Sequence, residues 1–415
     1  MGAGEHGYER VRLHEKEKVG ALRVCHRQNR SGLVRSYQQG DIGHIDVRQY
    51  DLYPERMKFG IFLQPVHHPS EHPTLALERD FELLELLDRL GYDEAWIGEH
   101  HSTGWENIGS PEVFIAAAAQ RTQRIVLGTG IIQLGLHHPL VVLDRMILLD
   151  HLTRGRVRFG VGVGGGLPSD LKVFGLSDEE AGRRLSEGMD VILRLLDEAD
   201  PITEKTDWYE LRDAVLQLKP YTRPHMPFAV ASTNPKNLAL MGRLGGQVLT
   251  GPIPEGVPKM FEEMEKGAAE VGRTVSRDQI MLSYPMHLAS TREEAVEACR
   301  EGAITEQYDF NVAVNGRPRP SGDPVDWYPR WAENQIIGTP DDAIAKIEQA
   351  LDRSGGFGGM LFTSRDWAGT SAVHRSWELF ARYVAPHFQG HISQQLRASE
   401  VAGALNSKGP PTSSG

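Results

Sequence analysis

The stretch from Ile125 to Gly162, IVLGTGIIQLGLHHPLVVLDRMILLDHLTRGRVRFGVG, decides the fold. It opens on an apolar run, IVLGTGI (125–131), passes through a helical pattern that starts at Pro139, and ends on a second short run, RVRFGVG (156–162). Short strands separated by a single helix are the units from which a parallel sheet is wound. The same rhythm extends in both directions. Candidate strands follow at MKFGIFL (57–63), DEAWIG (93–98), FAVAS (228–232), QVLTG (247–251), IMLSYPMHL (280–288) and GGMLFT (358–363), with helical patterns between them. One of these, LALERDFELLELLDRLG, carries Leu83, Leu86, Leu87 and Leu90 at helical spacing. Helices begin at Pro139 and Pro235 and stop at Gly91 and Gly245, because proline lacks only an amide that the first turn leaves unpaired and glycine accepts the left-handed cap. Eight strands, each followed by a helix, predict an α/β protein of the (β/α)8 TIM-barrel class. Two excursions exceed an ordinary connection, 199–227 and 303–338; the second makes an insertion near strand seven, and loops of that length serve more often as lids or binding segments.

The predicted barrel domain spans 57–390. Residues 1–56 show no sustained period and read as a disordered or loosely docked extension, and Met57 looks like a natural start. Residues 391–415 end in a Pro/Ser/Gly-rich tail that buries too little apolar surface to offset ordering entropy. In 415 residues, 45 Lys+Arg against 56 Asp+Glu give a net charge of −11, which argues against nucleic acid as a partner. No apolar run is long enough for a membrane span and the N-terminus is charged, so a cytoplasmic location is expected. Cys25 and Cys299 lie far apart and suggest neither a disulfide framework nor a thiolate metal site.

Active sites of such barrels lie at the C-terminal strand ends. Glu99-His100-His101 after strand two could supply a general acid/base that titrates near neutrality; a pair of satisfied structural histidines is the alternative. The HH pairs at 67–68, 100–101 and 137–138 lack metal-ligand spacing, so no metal is expected. GVGVGGG (160–166) contains a GxGxxG, but Pro168 should interrupt any helix there, and the glycines instead let backbone approach a flat ligand or simply fill a crowded strand end. Ser232 and Thr233 precede the helix at Pro235, where free amides suit a phosphate, although Thr233 or Asn234 could be only an N-cap. Arg183 and Arg184 either add positive charge to that anion or are solvated surface residues. Trp327, Tyr328 and Trp331 in the 303–338 segment could wall a substrate pocket or merely pack it onto the barrel.

MKFGIFLQP, LGYDEAWIGEHHSTGWENIGSPEVFIAAAAQRT, RIVLGTGIIQLGLHHPLVVLDRMILLDHLTRGRVRFGVGVGGGLPSDLKVFG, LQLKPYTRPHMPFAVAST, IIGTPDDAIAKIEQ and GGFGGMLF, in this order from Met57 to Gln389, resemble the bacterial luciferase-like flavin-dependent monooxygenases, limonene monooxygenase-like proteins in particular. The resemblance implies reduced FMN, with FAD or F420 as less favoured cofactors, delivered by a separate NAD(P)H:flavin reductase and reacting with O2 to a C4a-peroxyflavin that oxygenates a small hydrophobic molecule. It implies a homodimer. It places the catalytic acid/base at His100 with His101 beside it, the flavin ring against Thr129, Gly130 and Ile131 with a non-proline cis peptide at Gly130-Ile131, and phosphate contacts at Ser232, Thr233 and Arg183 or Arg184. Where some relatives carry a cysteine-arginine pair after strand four, this chain has Val163 and Gly164, so thiol control of the flavin and light emission are not expected. Two other readings remain: an F420-dependent hydride-transfer oxidoreductase on the same fold, and a non-catalytic flavin-binding subunit.

Overall fold

The computed structural model describes residues 23–29, 32–38, 56–164, 168–363 and 365–390, with isolated positions between 395 and 402. The chain divides into two units, Met1–Tyr53 and Pro54–Gly415. In the first, Arg23–Asn29 pairs antiparallel with Gly32–Gln38 as a hairpin. The rest of the 1–56 extension, apart from Arg56, and nearly all of the 391–415 tail lie outside the described residues.

In the second unit every strand read from the sequence is present: β1 Lys58–Leu63, β2 Glu94–Ile97, β3 Val126–Thr129, β4 Val157–Gly162, β5 Phe228–Ala231, β6 Gln247–Thr250, β7 Ile280–Leu288 and β8 Gly359–Thr363. Each pairs in parallel with its sequence neighbours, and β8 pairs with β1, so the sheet closes into an eight-stranded barrel. The helices are α1 Pro73–Leu90, α2 Pro111–Arg121, α3 Pro139–Thr153, α4 Pro168–Val173, α5 Asp178–Asp197, α6 Pro235–Leu244, α7 Val257–Glu270, α8 Arg292–Thr305, α9 Pro324–Ala332, α10 Pro340–Ser354 and α11 Thr370–Leu379. Gly91 and Gly245 adopt the left-handed caps expected of them, at φ +85° and +67°.

The barrel interior is filled by Trp96, Ala229, Leu249, Met281 and Leu361. Trp96 fits because β3 carries Gly128: a Cβ there would sit 2.4 Å from the indole ring. At the opposite end from the strand C-termini, Glu94 gathers the Trp96 indole N–H at 3.0 Å, Lys58 at 3.1 Å and Gln247 at 3.3 Å, closing the barrel floor with satisfied polar groups. Among the described residues no helix is long and apolar enough to cross a membrane.

Two connections carry extra structure. Between β4 and β5 a hairpin, Ile202–Lys205 with Glu210–Ala214, occupies the 199–227 excursion. Between β7 and β8, α8 runs into a π-helical turn (Glu306–Val312), then α9, then Ile336–Gly338, which pairs with the last residues of β7. Pro168 corrects one expectation. It opens α4 rather than interrupting it, as proline does at a first turn. The dinucleotide reading of the glycine run fails instead on topology, since a closed barrel has no point at which strand order reverses.

Candidate active site

Glu99, His100 and His101 follow β2 at the C-terminal mouth, and their surroundings separate them. His100 Nδ1 lies 2.9 Å from Asp170 Oδ2, and its Nε2 lies 3.4 Å from Glu106 Oε1. Asp170, on α4, is fully buried; Oδ1 accepts the His101 amide at 2.8 Å and Oδ2 accepts Gln133 Nε2 at 3.0 Å. A carboxylate only accepts, so the ring hydrogen belongs on Nδ1 and Nε2 is left as the atom beside Glu106. Burial alone would depress the imidazole, but the Asp170 hydrogen bond and the charges of Glu106, Asp170 and Glu99 outweigh it and raise its pKa above the ordinary histidine value.

His101 belongs to a neighbouring cluster. Its Nε2 lies 2.9 Å from Glu99 Oε1, which also meets His137 Nε2 at 2.7 Å, while Glu99 Oε2 accepts the Gln133 amide at 2.9 Å. Burial would raise the Glu99 carboxyl, yet these hydrogen bonds hold it below the usual carboxylate range. The His101 ring meets Phe174 edge-on at 5.2 Å and its pKa is raised, chiefly by the Glu99 hydrogen bond. Asp170, Glu106, Gln133 and His137 complete the site and were not selected from the sequence. The pair at 137–138 was visible and weighed only as metal ligands; Asp170, beyond the glycine run, carried no signal.

Beside His100 and Glu106 opens a cavity of about 480 Å³. Its barrel walls are Gln64 after β1, Ser283 and Pro285 in β7, and Thr363, Arg365 and Trp367 at or after β8. The β7–β8 excursion supplies Phe310, Trp327 and Trp331. Trp327 and Trp331 stack at 5.4 Å, and Trp367 meets Trp331 edge-on at 5.3 Å. Tyr328 does not join them. It is fully buried against Ala295, Cys299 and Ala303 and donates its hydroxyl to the Val296 carbonyl, so its part is packing. His287, also at a strand end, is buried, and desolvation pushes it down to about 4, as for an uncharged core histidine.

Among the described residues, none from β3, β4 or β5 lines this cavity. That half of the mouth holds the other expected ligand positions. The Gly130–Ile131 peptide is cis, after which Ile132–Gln133 resumes pairing with β4. Thr129 is fully buried, its hydroxyl donating to the Gly160 carbonyl and accepting the Gly160 amide, so its side chain laces β3 to β4 and is not open to a ligand. Val163 and Gly164 are half-buried at the end of β4; Gly165 and Gly166 lie outside the described residues. Arg183 faces outward and pairs with Glu187 at 2.9 Å and Asp207 at 2.7 Å. Arg184 faces inward: one amino group meets Glu180 at 2.6 Å, another reaches the Gly135 carbonyl at 3.4 Å, and its buried Nε has no partner. Ser232 Oγ accepts from the Asn234 amide and from Asn237 Nδ2, each at 3.1 Å, and Asn234 caps α6 through Lys236; Thr233 is exposed. The cap is therefore Asn234, leaving Thr233 clear of that duty. Elsewhere, His67, Glu71 and Asp366 come within metal-ligand reach of one another, but Arg79 pairs with both carboxylates and already supplies the positive charge.

A histidine backed by a buried aspartate, set at a barrel mouth beside an aromatic-walled cavity, is an arrangement suited to exchanging a proton with an organic ligand. The family model for luciferase-like monooxygenases matches residues 57–356, and the chain belongs to that family of oxidoreductases. It is 41% identical to 4-hydroxyprotoasukamycin monooxygenase of Streptomyces nodosus subsp. asukaensis, over 84% of this chain and 99% of that one. It is 42% identical to limonene 1,2-monooxygenase of Rhodococcus erythropolis, over 82% of this chain and 89% of the relative. The oxygenating constituent of 3,6-diketocamphane monooxygenase from Pseudomonas putida, solved in complex with FMN, shares the fold with a TM-score of 0.68 at 22% identity, covering 80% of this chain and 98% of that one.

Proposed function

We propose that the protein is the oxygenase component of a two-component system, using reduced FMN and O2 to oxygenate a small hydrophobic molecule, with a separate NAD(P)H:flavin reductase supplying the flavin. The observation that carries this reading is the position of His100 at the boundary between two halves of the barrel mouth. The β3–β5 half fits a flat ring with a phosphate tail. Gly164, at φ +81°, lets the Gln133 side chain pack where a Cβ would stand 2.1 Å from its Oε1, keeping the end of β4 flat, and the unpartnered Nε of Arg184 is a buried donor suited to an anion. Gly130, Ile131, Val163 and Gly164 would face the ring; Arg184, Ser232 and Thr233 would hold the phosphate.

The bound flavin supplies the oxygen chemistry, and this chain's residues position, shield and protonate. Asp170 keeps the Nδ1 hydrogen in place, and its charge favours the protonated imidazole, so Nε2 can deliver a proton to the oxygen leaving the reaction centre and recover it afterwards. His101, through Glu99 and the Asp170 contact to its amide, fixes the loop that carries His100. The Trp327, Trp331 and Trp367 wall excludes water from that region. We further propose a cytoplasmic homodimer.

The test is anaerobic titration of the protein with photoreduced FMN and, in parallel, reduced F420, followed by rapid mixing with oxygenated buffer under absorbance detection. Tight binding of reduced FMN and an oxygen-dependent absorbance transient longer-lived than with free flavin are expected. Binding of F420 alone, with no such transient, would overturn the oxygenase reading. A transient unchanged in its decay by His100→Ala would remove that residue from the proton-transfer role.

A further inference from the structure

The cavity wall contains buried polar atoms that nothing in the protein satisfies, Glu106 Oε2 and Arg365 Nε among them. Glu106 is buried to 7% exposure and lines the cavity; Oε1 faces His100, while Oε2 is fully buried and has no hydrogen-bond partner. Its backbone is held firmly. The amide donates to Thr103 Oγ1 at 3.1 Å, the residue bridges to Val66, and the preceding Trp105 packs against Val66 and Phe310. The carboxyl is thus presented by its loop and cannot easily turn elsewhere for a partner. Of the other charged wall residues, Arg365 pairs with Glu306 at 2.9 Å and donates to Gln64 Oε1, while Arg317 stands on the side of the wall that the β7–β8 excursion supplies.

A buried, unsatisfied carboxyl oxygen costs free energy unless a ligand or water completes it. The limonene-type hydrocarbon on which one relative is named would leave Oε2 orphaned on binding. Resting on the reading of this cavity as the substrate site, we propose that the substrate is a hydroxylated, flat unsaturated molecule whose hydroxyl is bound by Glu106 Oε2 and whose ring system lies against Trp327, Trp331 and Trp367. A hydroxyl fits because it both donates and accepts, and so pairs with the carboxyl in either protonation state. That matters at this position. Burial pushes the Glu106 carboxyl up, with Asp170 and Glu306 adding to the rise, while His100 and Arg365 oppose it. The three indoles offer faces and edges to a planar skeleton, and the Glu106 end orients it beside His100.

The experiment is isothermal titration calorimetry on the flavin-free full chain with two matched pairs of probes, limonene with perillyl alcohol and naphthalene with 1-naphthol. Each pair shares a skeleton and differs by the hydroxyl or hydroxymethyl group. The wild type is expected to bind the hydroxylated member at least tenfold more tightly. Glu106→Leu, close in volume and checked for native thermal unfolding, abolishes that preference and leaves hydrocarbon affinity unchanged; Glu106→Gln, which keeps hydrogen-bonding atoms in place, retains most of it. Equal affinity for both members in the wild type, or a preference that survives in Glu106→Leu, overturns the proposal while leaving the cavity as substrate site. If neither pair binds the protein although reduced FMN does, the cavity assignment falls and the proposal with it.

Discussion

Replacing Asp170 with asparagine tests the site without requiring a substrate. Asp170 is fully buried and accepts from His100 Nδ1, the His101 amide and Gln133 Nε2. Asparagine has one oxygen for these three donors and brings an NH2 group to face the others. A nearby opposite charge commonly shifts a titrating group by about 1–3 units. Burial already opposes the protonated imidazole here, so removing the carboxylate should lower the His100 pKa, and losing a charge-assisted hydrogen bond should cost about 1.5–3 kcal/mol of stability where the imidazole is protonated. Because Asp170 raises the folded-state value above the unfolded one, this stabilisation is complete below the unfolded histidine pKa and fades as pH rises through the folded value. The stability gap between wild type and Asp170→Asn should therefore be widest below the unfolded histidine value of about 6.5 and narrow as pH rises through the folded value, with a residual set by the unpaired amide donors. Imidazole NMR on 15N-histidine-labelled protein, with His100→Gln to assign the resonance, gives the pKa; urea unfolding across pH gives the gap. A His100 titration unmoved by the substitution, or a gap independent of pH, would refute the assignment of Asp170 as its counter-charge.

Other consequences are equally concrete. His67 sits between Asp80 and Asp366, whose hydrogen bonds and charges overcome burial and raise it to about 9, so its stabilising contribution is present below about pH 6.5 and lost as pH rises through 9. The shift allows at most about 3 kcal/mol, and His67→Gln should flatten that part of the thermal-unfolding profile. Arg184→Ala should weaken reduced-FMN binding roughly tenfold to a hundredfold, the value of one charge-assisted phosphate contact, whereas Arg183→Ala, which breaks only outward ion pairs, should leave the titration unchanged. Gly164→Ala forces a Cβ into Gln133 Oε1 at a left-handed backbone position and should cost about 1–3 kcal/mol by denaturant titration. It should also loosen reduced FMN.

The barrel was legible because its signals are local. Strands buried on both faces read as short apolar runs, helices declare themselves by Pro and Gly at their ends, and closure needs only that eight such units recur. Of the candidate site, His100 stood out because chemistry and strand end coincide there, whereas the cis Gly130–Ile131 peptide was implied only by the family resemblance. Asp170 escaped because its contact with His100 spans seventy positions in sequence, with no period to announce it. Glu106 escaped because a glutamate in a polar loop looks solvated until Trp105 and Val66 are seen to bury it. Tyr328 misled for the opposite reason: its neighbours in sequence face the cavity, but one residue of rotation on α9 turns it onto α8.

That rotation also bears on how the two halves of the mouth can change separately. Residues proposed for the flavin come from β3 to β5, where the Thr129 hydroxyl ties to Gly160 at 2.7 and 2.9 Å and a Cβ at Gly160 or Gly164 would collide with the Thr129 carbonyl or the Gln133 side chain. The aromatic wall hangs from α8, the π-helical turn and α9, which are anchored to the barrel through the Tyr328 cluster, on which Trp327 and Trp331 also pack, through Phe310 against Trp105 and Val66, and through the Ile336–Gly338 pairing with β7. Substitutions at Trp327 or Phe310 would therefore reshape the cavity and loosen part of this anchoring together, leaving the Ile336–Gly338 pairing and the Tyr328 core to hold the segment. Glu106 belongs to the barrel's own β2 loop and not to that segment. Its carboxyl, 3.4 Å from His100 Nε2, is consequently held independently of whatever side chains that segment carries.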